Sequence, residues 1–354
     1  MNFRIPFLLA SLAGVPLSGC ASAPAGAPSA SQPEPVPSEL FAAMIMTKEQ
    51  QASSTPTDSG VLLHHSETDS WERLGPPIMM ISSATADPAD PETIFFACGN
   101  GVARSTDGGR TWRLVTDWRV SDVVQVAVDP TNSDRVYAAS TWGVHVSDDG
   151  GDSWEAANTG LPERYTRGIV IDKDNPERLL LPTTSGLFQS TDRAESWQRI
   201  PGTPEVAFLR LRRSHANPDL WIAGTEGMGV WISHDNGASW EAAAPALASA
   251  NIYTVAAAPS DPRLLAAGGW ETGVSISRDA GQTWSSHREG LPSPNVTAMI
   301  FDRYKPQRLW VSTFEEGTVY SDDFGQTWQD GNLFGAYVFD LGFLPKATVK
   351  ATAY

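Results

Sequence analysis

Four glutamates, Glu226, Glu271, Glu315 and Glu316, are the side chains of this 354-residue chain best placed for chemistry. Two carboxyl groups, one kept protonated and one ionised at a suitable separation, can hydrolyse a glycosidic bond. Spacing along the chain does not give their distances in space, so catalytic roles stay unassigned. Rings and cations recur at corresponding places: Trp142, Trp270 and Phe314 share with the acids one loop position of a repeating unit, and Arg119, Tyr165, Arg167, Arg210, Tyr253, Asn295 and Tyr337 fall in a second, leading to the next unit. Aromatic rings with carboxylates and a few arginines are the materials of a carbohydrate or peptide site. The plainer alternative is that the rings fill gaps between structural units and the charges are simply solvated.

Other chemistries are missing. The six histidines are scattered, and His64-His65 on a strand would point to opposite faces, so neither a metal nor a cofactor is expected. There is no nucleophile elbow, phosphate loop or dinucleotide fingerprint. Cys98, in Phe95-Phe96-Ala97-Cys98, reads as a small buried apolar residue, since no base is patterned around it. The net charge of −16 becomes −17 without Arg4, the one charge of residues 1–19. Such a surface repels nucleic acid, which is discounted as a partner.

Residues 1–19 hold Arg4, an apolar run and then small residues, the pattern of a secretory signal too short to span a bilayer. Leu17-Ser18-Gly19-Cys20 resembles a bacterial lipobox. That resemblance implies acylation of Cys20 as the first residue of the mature chain and, with Ala21 next, an outer-membrane lipoprotein of the cell envelope. With Cys20 acylated, Cys98 has no disulfide partner, and the fold must be held by its core. Residues 20–59, rich in Ala, Pro, Ser and Gln, read as a flexible tether with a turn or two of helix allowed at residues 39–51.

The remaining residues 60–354 are positioned by a repeat. Tryptophans at 71, 112, 154, 197, 240, 284 and 328 are 41, 42, 43, 43, 44 and 44 residues apart. A period of ~40 residues accommodates four short strands and their turns, the content of one propeller blade. After the first, each Trp closes an octamer: STDGGRTW, SDDGGDSW, STDRAESW, SHDNGASW, SRDAGQTW and SDDFGQTW. Asp107, Asp149, Asp192, Asp235, Asp279 and Asp323 occupy the third place, where a carboxylate accepts backbone N–H groups of its own turn. These aspartates are therefore expected to be structural. The expected fold is all-β, a single seven-bladed propeller of four-stranded antiparallel blades. The seventh blade is expected to take two strands from each terminus: residues 337–345 and 348–354 from one end, 60–64 and 70–74 from the other.

The octamers resemble the Asp box, S-x-D-x-G-x-T-W, of the bacterial neuraminidase repeat. Phe3-Arg4-Ile5-Pro6 also matches a sialidase motif, but it lies in the signal segment, and sialidases form six blades. Three propeller groups are similar to this chain. The photosystem II stability/assembly factor type implies a membrane-associated binding module. Xyloglucanase-type enzymes pair two propellers, and sortilin-type receptors use ten blades. The resulting expectation is a monomeric, non-enzymatic module, anchored in the membrane through Cys20, that binds an envelope protein or glycan. The alternative is a glycan-active hydrolase or lyase using acids on the same face.

Overall fold

The computed structural model describes residues 37–46, 59–78, 80–243 and 245–346, and it is a ring of seven four-stranded antiparallel sheets. Each of the first six blades runs in chain order from its innermost to its outermost strand. The fourth, for example, comprises Phe208–Arg213, Trp221–Thr225, Val230–Ser233 and Glu241–Ala242. Middle strands such as Leu179–Thr183 and Leu309–Thr313 are buried at every position, because both sheet faces pack on neighbouring blades. Outermost strands are two or three residues long in the first six blades, which keeps the exposed edges short.

The core is accordingly split into seven apolar layers, one between each pair of neighbouring blades. One layer joins the fifth and sixth blades through Val274, Ile276, Met299, Phe301 and Val311. The layer closing the ring sets Leu40, Ala42, Met44 and Val338 against Ala298 and Trp310 of the sixth blade.

Closure departs from the expected arrangement. The seventh sheet has the order Ala336–Pro345, Ser38–Met46, Gly60–His65, Ser70–Leu74, so it takes one strand from the C-terminal side and three from the N-terminal side. Its second strand is Ser38–Met46, paired from Ser38↔Pro345 to Met46↔Ala336 with a bulge at Ala43/Met44. The expected second strand, residues 348–354, lies outside the described residues. The boundary at residue 60 and the tether over 38–46 are therefore corrected: this stretch is strand, neither tether nor helix. The physical reason is burial on both faces. Leu40, Ala42 and Met44 face the sixth blade, while Phe41 and Ala43 face the first. Cys20 and the rest of residues 1–36 lie outside the described residues.

The six octamers fold alike. In the first, Ser105 Oγ donates to Asp107 Oδ1 at 2.8 Å and accepts from Gly109 N at 2.8 Å, while Thr111 N and Oγ1 donate to the Asp107 carboxylate at 2.9 and 2.6 Å. The glycine has φ +88°, the left-handed conformation that costs a glycine little. Tryptophans stitch blades together: the indole N–H of Trp71, Trp154 and Trp197 donates to Gly331, Val115 and Ala157 of the preceding blade. The seventh blade has lost the box, and Asp69 accepts from His64 Nε2 at 2.9 Å instead.

Two outcomes follow from the hairpins. Ser147 is buried and its Oγ accepts from Gly151 N at 2.7 Å, so Ser147→Ala strands a buried N–H and should cost about 1–3 kcal/mol. A lower urea midpoint at unchanged m-value is the expected readout. The hydroxyls beside the Trp hold Asp107, Asp149, Asp235 and Asp323 at about 2, below the ordinary 3.8. A depressed carboxyl keeps its bonds above its ordinary value and loses them as pH falls through the lowered one. Slow exchange of the Thr111 and Ser153 amides should therefore persist at pH 3 and disappear below about pH 2.

Candidate functional site

The meander of each blade puts the loops between second and third strands, and those leading to the next blade, at one end of the ring; the Asp-box hairpins lie at the other. Apolar exposure is strongly biased between these ends. Among the described residues ten large hydrophobics are exposed, and all but Leu114 and Tyr304 belong to the end opposite the boxes. Trp118, Phe334 and Trp142 are 87 %, 76 % and 59 % exposed. Met80, Tyr165, Met228, Tyr253 and Trp270 complete the set. Isolated exposed rings need no explanation, but eight of the ten gather at one end of the ring.

At the centre of that face the rings form a chain. Trp270 meets Phe314 edge-on with centroids 5.5 Å apart, Phe314 meets Tyr337 at 5.5 Å, and Tyr337 meets Phe339 at 4.5 Å. Burial pushes the Tyr337 hydroxyl up, the Tyr253 hydroxyl adds to this, and Arg210 and Arg167 oppose it. Those four side chains, from four different blades, thus lie close enough to act on one another. Arg167 also lies over the Tyr165 ring, 4.7 Å from its centroid. The Nε atoms of Arg167 and Arg210 are buried and have no hydrogen-bond partner. Two such donors beneath a rim of rings suit an oxygen-bearing ligand.

Beneath the rings the channel is bridged. Arg210 of the fourth blade donates through Nη2 to the Phe339 carbonyl at 2.7 Å, and its Nη1 lies 3.3 Å from Asp340 Oδ1, both on the seventh blade. Arg212 adds a 2.9 Å ion pair to Asp340, and Ser83 Oγ donates to Asp340 Oδ2 at 3.0 Å.

The structure brings together Tyr165, Arg167, Arg210, Tyr253, Trp270 and Phe314 of the expected ligand residues. Trp142 sits on the same face, its indole N–H donating to Asp122 Oδ2 at 3.1 Å. Arg119 is bonded to Asp117 and lines a groove of about 880 Å³ between the outer parts of the first two blades. Trp118, Phe334, Met80, Met228 and Phe339 were not singled out by their sequence setting. Trp118 and Phe334 could have been, since both follow an Asp-box Trp by six residues in loops that lead to the next blade.

Of the four acids, Glu226, Glu271 and Glu316 are exposed and Glu315 is half-buried. Glu271 and Glu315 follow Trp270 and Phe314 and take left-handed φ values of 58° and 60°, a conformation uncommon for such residues. Asn295 joins their loops: its Oδ1 accepts from Glu271 N and its carbonyl from Phe314 N, both at 2.8 Å. Among the described residues no carboxylate of the four accepts a side-chain hydrogen bond, and no three His, Cys, Asp or Glu side chains gather as metal ligands. The six box aspartates spend their oxygens inside their own hairpins, at the other end of the ring. Cys98 is buried, its thiol pushed up by desolvation and donating to the Gly101 carbonyl.

Similar folds occur among solved structures. A GH74 enzyme of Niastella koreensis superposes with a TM-score of 0.66 at 16% identity, over 83% of this chain and 54% of the enzyme, so the chain spans about half that enzyme's length. YCF48 bound to D1 peptide gives 0.55 at 20% identity, over 72% of this chain and 83% of YCF48. YCF48 from Cyanidioschyzon merolae gives 0.55 at 14%, over 78% and 96%. These likenesses establish the fold. No curated protein shows significant similarity to the chain. Residues 319–330 match the BNR/Asp-box repeat, and residues 42–303 match the DUF6242 beta propeller domain, the family to which this chain belongs.

Proposed function

We propose that this propeller is a non-catalytic binding or assembly module whose aromatic face engages an envelope protein or glycan, held at the outer membrane by a lipid on Cys20. The observation that carries this reading is the concentration of exposed rings at one end, centred on Arg167 and Arg210 with their unpartnered donors. Ring-rich surfaces with desolvated arginines are where binding energy concentrates. The direction of Ser38–Met46 supports the anchoring half. Ser38 pairs with Pro345 at the Asp-box end, so the chain leading back towards Cys20 leaves the ring at the end opposite the aromatic face, which that attachment does not cover.

A hydrolase or lyase is the second reading, favoured by the paired presentation of Glu271 and Glu315 on adjacent loops beside Trp270 and Phe314. The purified chain should give no turnover on a panel of polysaccharides and sialosides. Turnover that Glu271→Gln or Glu315→Gln abolishes would replace the binding reading with the enzymatic one. Trp142→Ala with Trp270→Ala should leave a cooperative melting transition, lowered only by the loss of the Phe314 and Asp122 contacts, and should reduce ligand retention at least tenfold.

A further inference from the structure

Below the Arg210–Asp340 bridge the axial channel widens into a chamber of about 580 Å³ that opens at the Asp-box end. Its size falls within the ~300–1,000 Å³ of small-molecule sites. Phe41, Met299 and Phe343 give it apolar wall, while Lys173, His215 and Arg303 line it just beyond the innermost strands of the third, fourth and sixth blades.

The charges are unusual for a chain of net charge −16. Arg212 is taken up by Asp340, and Arg213 by Asp172 at 3.1 Å and Asp174 at 2.5 Å. Lys173 and Arg303 have no ion pair among the described residues, and Arg303 makes only an Nη1 contact to Ser38 Oγ at 3.2 Å. The cations are close enough to act on each other. Lys173 is open to the water of the channel, yet desolvation by the surrounding walls lowers its hold on its proton, and Arg303 and Arg213 lower it further against the opposing pull of Asp174. The same desolvation, then Lys173, Arg303, Arg213 and Arg212, hold His215, itself open to the channel's water, down to about 4. Mutual repulsion of this kind is relieved by a bound anion, and a cleft with low-dielectric walls concentrates such a field.

We propose that this chamber binds a phosphate dianion carried on a small apolar body, with Lys173 and Arg303 supplying the two uncompensated positive charges and His215 a further contact. The phosphate has two possible carriers, a soluble phosphomonoester or a lipid headgroup. The site lies at the opposite end of the ring from the aromatic face and stands independently of what that face binds.

The test is calorimetric titration of the full-length chain with phenyl phosphate at pH 7 and fixed ionic strength, and flotation with phosphatidic acid vesicles against phosphatidylcholine vesicles. Saturable one-to-one binding of phenyl phosphate is expected, weakened at least tenfold by Lys173→Met or Arg303→Gln and unchanged by Arg263→Gln, an exposed arginine at the same end paired with Asp261. Melting temperatures of all variants should match the parent, since both lining residues are solvent-exposed. Under saturating phenyl phosphate the His215 imidazole should titrate well above about 4, because an anion favours the imidazolium. Vesicle binding alone, lost in the same two variants, places the phosphate on a lipid. Binding of neither probe, or binding that both variants leave intact, overturns the proposal.

Discussion

A chain that begins at Gly60 should fail to close into a ring, whereas one that begins at Pro37 should fold and melt cooperatively. Shortening to Gly60 removes Ser38–Met46, the second strand of the seventh blade, and leaves Ala336–Pro345 without its partner. Leu40, Phe41 and Met44 are among the buried side chains lost with it. Burial of three such residues contributes about 5–9 kcal/mol at ~1.5–3 kcal/mol each. That is comparable to the ~5–15 kcal/mol by which a domain is stable. The loss also opens two apolar layers at once, because the strand's alternate side chains serve both neighbouring blades. Calorimetry and near-ultraviolet circular dichroism distinguish the outcomes: a cooperative transition for the longer chain, and none, or one at much lower temperature, for the shorter. A shorter chain that melts like the longer would show that the ring closes without this strand.

The second large effect is expected at Asp340, which is buried and accepts from Arg212 and Ser83 while lying 3.3 Å from Arg210. Asp340→Ala leaves two guanidinium groups in the channel without their counter-charge, and breaking a buried pair in this way costs about 3–5 kcal/mol. Arg212→Met should cost less, because Arg210 still faces Asp340 across the channel. Guanidinium denaturation of the two variants gives the comparison directly. Equal losses, or a negligible loss for Asp340→Ala, would mean that the bridge does not hold the fourth blade to the seventh.

The blade count was legible because its signal repeats: the Trp period and the octamers recur, and each local choice agrees with its neighbours. Ser38–Met46 carries no such signal. Buried on both sheet faces, it shows neither the alternation of a half-buried strand nor a box, and a short apolar run does not by itself distinguish strand from helix. Its position after an Ala/Pro/Ser-rich segment hid it further. The site was legible to a similar depth. Place within the repeat was enough to pick out Trp142, Trp270, Phe314 and Tyr253, which the structure puts at one end of the ring, Tyr253 in the strand Ile252–Ala257 and the other three in loops. Arg210 and Asp340 are 130 residues apart in sequence, and their meeting is set by the diameter of the closed ring, which no local pattern encodes. The cationic chamber was invisible for the same reason. Lys173, His215 and Arg303 each follow a different innermost strand, and only closure of the ring draws them to one mouth.

We propose the end of the ring opposite the Asp boxes as the binding face. It is tested most directly by site-specific photo-crosslinking in intact cells, with the photoreactive side chain placed at Thr141 or Glu316 on the aromatic face and at Tyr304 on the Asp-box face. The predicted result is one discrete adduct shared by positions 141 and 316 and missing from position 304. Adducts confined to position 304, or the same pattern from all three positions, would contradict it.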